Sequence, residues 1–123
     1  MGITHTSVAV TTLDRSGQPF ERKFLVDTGA MDCLAPASLL EKAGVQREGT
    51  DLYELANGET VEFPFGYARM TFIGTEIITK IIFGPENAEP ILGVMALEHA
   101  GITVDPTTQT LKRMATRSLK KAA

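Results

Sequence analysis

The sequence predicts a single, mostly β domain with two short helices, and three observations support this. Turn signals recur at short intervals: Ser16-Gly17, Asn57-Gly58, Gly74-Thr75, Gly84-Pro85 and Asp105-Pro106. The stretches between them are short and rich in Val, Ile, Thr, Phe and Tyr, the pattern of antiparallel strands. Two further segments carry the residues of helix ends instead. A length of 123 residues suits one core.

Taken in order, strands are expected near 3–12, 18–26, 50–56, 60–64, 66–73, 76–83, 102–104 and 109–113. The first helix is expected over Pro36–Gly44, with proline near its start and glycine at its end. The second is expected over Val94–Gly101, where good helix formers again run into a glycine. No repeat, low-complexity stretch or interdomain linker interrupts the chain.

Composition narrows the function classes. The chain is 43% hydrophobic and 22% charged, with a formal net charge of −3, so nothing global points to nucleic acid. Lys112, Arg113, Arg117, Lys120 and Lys121 follow the last acidic residue, Asp105, and the last three of them give the C-terminal tail, 114–123, a basic character. Five cations interrupted by Met114 and Leu119 read as a solvated tail rather than a binding patch. With one cysteine, Cys33, no intrachain disulfide can form. The N-terminal residues do not read as a signal peptide, and runs such as Ile81-Ile82-Phe83 are too short to span a bilayer. A cytoplasmic protein without membrane contact is expected.

Three elements carry the chemistry. In Phe24-Leu25-Val26-Asp27-Thr28-Gly29-Ala30 an apolar strand runs directly into a carboxylate, a hydroxyl and a glycine. The strand would anchor Asp27 in a dry setting, and Gly29 permits backbone conformations closed to other residues. Taken alone, the tripeptide is better read as an Asx-type turn at a strand end. The second element, Pro90-Ile91-Leu92-Gly93, ends 66 positions after Asp27 and opens the second helix. It fits a backbone packed closely behind the Asp27 loop. The third is the hairpin Tyr53-Glu54-Leu55-Ala56-Asn57-Gly58-Glu59-Thr60-Val61-Glu62. Asn-Gly at its centre suits a type I′ turn.

In this order the three elements resemble the retropepsin-like clan of aspartic proteases over about residues 5–113. The likeness is to small stand-alone bacterial members and to the protease domain of the eukaryotic DNA-damage-inducible proteins rather than to retroviral enzymes. It implies a closed retropepsin-like β-barrel, the single half of an acid protease fold, over residues 1–113. It implies Asp27, Thr28 and Gly29 as the catalytic turn, with Thr28 gripping its twin across a dimer axis, and Ile91-Leu92-Gly93 as a buttress. A flap around Ala56-Asn57-Gly58 is also implied, and Ala30, Leu55 and Ile91 are expected to join those three in contact with substrate; for Asp32, substrate contact and a solvent-facing side chain are both open readings. Retroviral enzymes carry a carboxylate after the Ala of the motif and an arginine after the later Gly. Here Met31 and Val94 stand in those places, so both partners of that ion pair are missing together.

Peptide hydrolysis of this kind needs two carboxylates sharing one proton. The sequence has five aspartates, Asp14, Asp27, Asp32, Asp51 and Asp105, and only Asp27 precedes Thr-Gly or Ser-Gly. A second half-site is therefore expected from a second copy, making a homodimer that cleaves a peptide or protein substrate and uses no cofactor or metal. His5 and His99 lack ligand spacing, and Cys33 reads as a buried thiol. Two other readings compete: a non-catalytic dimerisation or peptide-binding domain on the same fold, and an unrelated β-barrel binding module. An intact Asp27-Thr28-Gly29 favours the enzyme.

Overall fold

A computed structural model describes residues 4–115. Strand β1 (His5–Thr11) pairs antiparallel with β2 (Phe20–Asp27). The turn between them is tied by Asp14, whose Oδ1 accepts hydrogen bonds from the Ser16 N–H at 3.0 Å and the Ser16 hydroxyl at 2.7 Å. Strand β3 (Cys33–Pro36) leads into helix α1 (Ala37–Ala43), and β4 (Gly49–Glu54), β5 (Thr60–Phe72) and β6 (Thr75–Gly84) form a meander. Strand β7 (Ile91–Gly93) runs into helix α2 (Val94–Ala100), and β8 (Ile102–Asp105) and β9 (Thr110–Arg113) make a separate ribbon.

The main sheet follows the order β1-β2-β7-β3-β6-β5-β4, and an additional β1–β5 pairing closes its first six strands into a barrel. Strand β4 hangs outside that ring on the N-terminal half of β5. Alternation along the strands fills the barrel: Val8, Val10, Phe24, Met70, Phe72 and Ile81 are all buried, with Leu40 of α1 and Leu92 of β7 joining them. Both helices end on glycine in the left-handed region, Gly44 at φ 95° and Gly101 at φ 73°, as their sequences imply. Among the described residues no helix is long and apolar enough to cross a membrane. Arg117, Lys120 and Lys121 of the basic tail lie outside the described residues.

The structure corrects three expectations. The strands expected at 60–64 and 66–73 are one strand of 13 residues. Pro64 does not break it because β5 has only β4 beside it there; pairing with β6 begins at Phe65. Strand β3 was not expected, since Cys33-Leu34-Ala35-Pro36 has neither alternation nor β-branched residues. Its parallel pairing with Cys33 opposite Ile81 and Pro36 opposite Gly84 creates it.

The third correction concerns the hairpin turns. Asn57 does not have positive φ; Gly58 alone does, at 89°. The Gly58 N–H donates to Leu55 O at 2.9 Å and the Leu55 N–H to Glu59 O at 2.7 Å, so the turn centres on Ala56-Asn57 with Gly58 as the left-handed residue after it. Two adjacent positive φ values occur instead at Ile73 (51°) and Gly74 (73°), the two-residue loop joining β5 to β6. Each arrangement predicts a different mutational response. Gly58→Ala should cost about 1 kcal/mol, the left-handed penalty of a Cβ, because nothing lies within 4 Å of the site to clash with it. Asn57→Ala removes the bond from the Glu59 N–H to Asn57 Oδ1 at 2.9 Å and should cost about 0.5–1 kcal/mol, with no left-handed penalty. Because Asn57 has no positive φ to relieve, Asn57→Gly should also destabilise, and a gain in stability for that variant in urea denaturation would contradict the observed turn.

Candidate active site

Asp27 ends β2, where Phe24 is buried and Leu25 and Val26 are half-buried. A parallel partner, β7, sets Leu25 beside Ile91, Val26 beside Leu92 and Asp27 beside Gly93. The chain then turns sharply. The Ala30 N–H donates to Asp27 O at 3.1 Å, and the Gly29 N–H donates to Asp27 Oδ1 at 2.9 Å. That second bond holds the carboxylate in one orientation and leaves Oδ2 for other partners. Asp27 is half-buried, while Thr28 and Gly29 are exposed.

The loop is held from behind by the start of α2. Val94 N–H donates to Ala30 O at 2.8 Å and Met95 N–H to Met31 O at 3.2 Å. A helix begins with N–H groups that have no intrahelical partner, and α2 has no side-chain cap. The carbonyls of the Asp27 loop serve instead, so one set of bonds finishes the helix and fixes the loop. Gly93 makes this approach possible. A Cβ there would lie 2.6 Å from Asp32 O and 2.8 Å from Met31 O. The sequence expectation of a backbone packed close behind the loop matches this geometry.

A groove separates the loop from the hairpin. Gly29, Ala30, Asp32, Leu55 and Ile91 from the sequence reading all line it, joined by Met31, Leu34, Tyr53, Glu54, Phe63 and Ile82. Ala56, Asn57 and Gly58 form the exposed hairpin tip and do not line the groove in this conformation. Glu54, Glu59 and Glu62 face solvent, as their charges require.

Asp32 faces inward rather than into solvent. Its Oδ2 accepts the Tyr53 hydroxyl at 2.8 Å and lies 3.8 Å from Lys80 Nζ. Lys80 also pairs with Asp51, and its Nζ sits 4.4 Å from the centroid of the Phe65 ring. The bond to Asp51 raises the Lys80 pKa against the opposing effect of burial. Burial, then the bond to Asp32, raises that of Tyr53. Sequence reasoning did not single out Tyr53 or Lys80. The available signal was Lys80 as the one charged residue in the run from Ile77 to Phe83. Cys33 is buried as expected, and burial pushes its thiol up to about 12, far from a nucleophile. Among the described residues no three His, Cys, Asp or Glu side chains gather as a metal site.

The family model for aspartyl proteases matches residues 10–96, a span that contains the Asp27 turn, the groove and β7. The chain belongs to the aspartyl protease family. Its fold is also that of solved retroviral enzymes. The EIAV protease complexed with the inhibitor HBY-793 superposes with a TM-score of 0.61 at 18% identity, over 81% of this chain and 89% of that one. The simian foamy virus (mac) protease gives a TM-score of 0.54 at 15% identity, over 76% and 91%. No curated protein matches the sequence. At such identities the two structures establish the barrel of this aspartyl protease and nothing about its substrate.

Proposed function

We propose that this aspartyl protease is an endopeptidase that works as a homodimer, each chain contributing Asp27. The observation that carries the reading is a single Asp-Thr-Gly turn, half-exposed at the rim of a single barrel, with no second such turn in the chain. The surface around that turn is apolar: Met31 is 66% exposed and Met95 50%. These two side chains belong to adjacent segments, joined by the Met95 N–H to Met31 O bond. Such a surface suits burial against a twofold copy better than permanent contact with water.

Across such an axis two Asp27 carboxylates would lie a few ångströms apart. Both cannot ionise together, so one keeps a proton, the behaviour for which aspartic proteases are the type case. The ionised carboxylate takes a proton from water as its oxygen attacks the scissile carbonyl carbon. The protonated one donates to the carbonyl oxygen, and collapse of the tetrahedral diol breaks the C–N bond as the amine takes up a proton. The exposed Thr28 hydroxyl is proposed to bond across the axis. The hairpin 53–64 acts as the flap that excludes water, and the groove's Leu, Ile, Phe and Met lining favours apolar side chains beside the scissile bond.

Mixing tests the dimer and the chemistry together. Wild-type chains cleaving a peptide library are titrated with Asp27→Asn chains at constant total concentration. In an equal, freely exchanging mixture about one quarter of the dimers carry two Asp27 residues, so activity should fall to about one quarter of wild type. A fall to one half would mean that each chain acts alone. Wild-type dimers that cleave nothing in the library would instead support a dimerisation or peptide-binding module.

A further inference from the structure

The hairpin and the Asp27 loop meet across the groove without sharing a strand pairing. Strand β4 pairs only with β5, and β3 only with β6 and β7. Among the described residues one side-chain hydrogen bond joins hairpin to loop, from the Tyr53 hydroxyl to Asp32 Oδ2. The Asp32 side chain is only 13% exposed, and a carboxylate so sheltered is stable only with partners. Its second partner is Lys80, which rises from β6 beneath both segments and also holds Asp51, two residues before Tyr53 on the same face of β4. The Tyr53 ring is fixed from the side by Phe63, with centroids 6.2 Å apart. Two residues beyond Tyr53, the Leu55 N–H closes the hairpin tip onto Glu59 O.

We infer that Tyr53 is a positioning residue. Its hydroxyl latches the flap stem to the catalytic loop through Asp32, and Lys80 holds Asp32 and Asp51 in place from below. The inference rests on the reading of hairpin 53–64 as the flap of an endopeptidase. The latch sets the resting height of the flap over the groove before substrate arrives. Part of the ordering cost of closure is then already met in the free protein, which favours substrate binding. It also pairs the charge of Asp32 inside the protein, which leaves Glu54 as the exposed charged side chain of the groove wall. The latch touches neither Asp27 nor the water it activates, so its loss should raise KM and leave kcat nearly unchanged.

Hydrogen exchange on the full chain tests the latch without any need for cleavage. Tyr53→Phe keeps the ring and removes only the hydroxyl. The bonded amides of Leu55 and Gly58 and those of the β4–β5 ladder should then exchange about tenfold faster, the scale of one hydrogen bond to a charged group. Exchange in β1 and β6 should stay at the wild-type rate. Asp32→Asn, which keeps an acceptor oxygen but loses the charge that pairs with Lys80, should exchange at a rate between wild type and Tyr53→Phe, whereas Asp32→Leu should match Tyr53→Phe. On a cleaved peptide, Tyr53→Phe should raise KM several-fold with kcat within about twofold. Unchanged hairpin exchange in Tyr53→Phe would overturn the inference. So would faster exchange spread evenly over the barrel, or identical behaviour of the two Asp32 variants. If Tyr53→Phe loosens the hairpin as expected but wild type cleaves no peptide, the latch stands and the endopeptidase reading falls.

Discussion

Asp27→Asn is expected to lower proteolytic activity by at least about a thousandfold, within the range that positioned acid–base groups supply. The structure should survive the change. Asp27 Oδ1 accepts the Gly29 N–H at 2.9 Å, and an asparagine carbonyl oxygen can accept the same bond. Asp27 is also only half-buried, so the amide loses little by desolvation. What disappears is the shared proton. An asparagine pair cannot divide into one acid and one base, so neither water activation nor carbonyl protonation is available. The measurement is kcat/KM on a peptide cleaved by wild type, alongside the thermal midpoint of both proteins. Activity within tenfold of wild type in a purified, folded variant would place the chemistry elsewhere.

Gly93→Ala should give the largest stability loss among the single-residue changes considered, roughly 2–3 kcal/mol, the scale of overpacking a tight interior site. Conformation is not the obstacle. Gly93 has φ −86° and ψ 172°, ordinary extended backbone that alanine adopts freely. The obstacle is space: the new Cβ would lie 2.6 Å from Asp32 O, 2.7 Å from Asp32 C and 2.8 Å from Met31 O, all backbone atoms that cannot rotate away. Relief requires either β7 or the loop after Asp27 to move. Either shift disturbs the pairing of Asp27 with Gly93 and the two bonds by which α2 holds Ala30 and Met31. At fixed protein concentration the thermal midpoint should therefore drop by roughly 10 °C, with activity falling further than stability alone explains. A midpoint within about 2 °C of wild type would show that the loop is not packed as described. Gly58→Ala is the useful contrast, because there the space is open and only the left-handed φ resists.

Local chemistry by itself determined much of this protein. The apolar run into Asp27-Thr28-Gly29 marks a strand that ends on a carboxylate, and β2 ends at Asp27. Gly44 and Gly101 stop two short helices because each accepts a left-handed conformation at the helix end. Pro90-Ile91-Leu92-Gly93 was legible as a close-packed backbone because only glycine leaves the space that the Asp27 loop occupies. The strand end and the helix stops lie within a few residues of the signals that specify them; Gly93 marks its own need for space, while the atoms that fill it belong to Met31 and Asp32.

Tertiary structure decided the rest, because the forces involved act between residues far apart in sequence. Cys33–Pro36 is a strand only because Ile81–Gly84 runs beside it. Thr60–Phe72 continues through Pro64 because the barrel leaves that stretch of β5 without a second neighbour. The hairpin turn settled on Ala56-Asn57, with Gly58 after it, although Asn-Gly alone favours the two-residue turn. Tyr53, Asp32 and Lys80 come from three different strands or loops, 21 residues separating the first two and 48 the last two. No local pattern records their meeting, because an ion pair and a hydroxyl bond depend on which surfaces the closed barrel brings face to face.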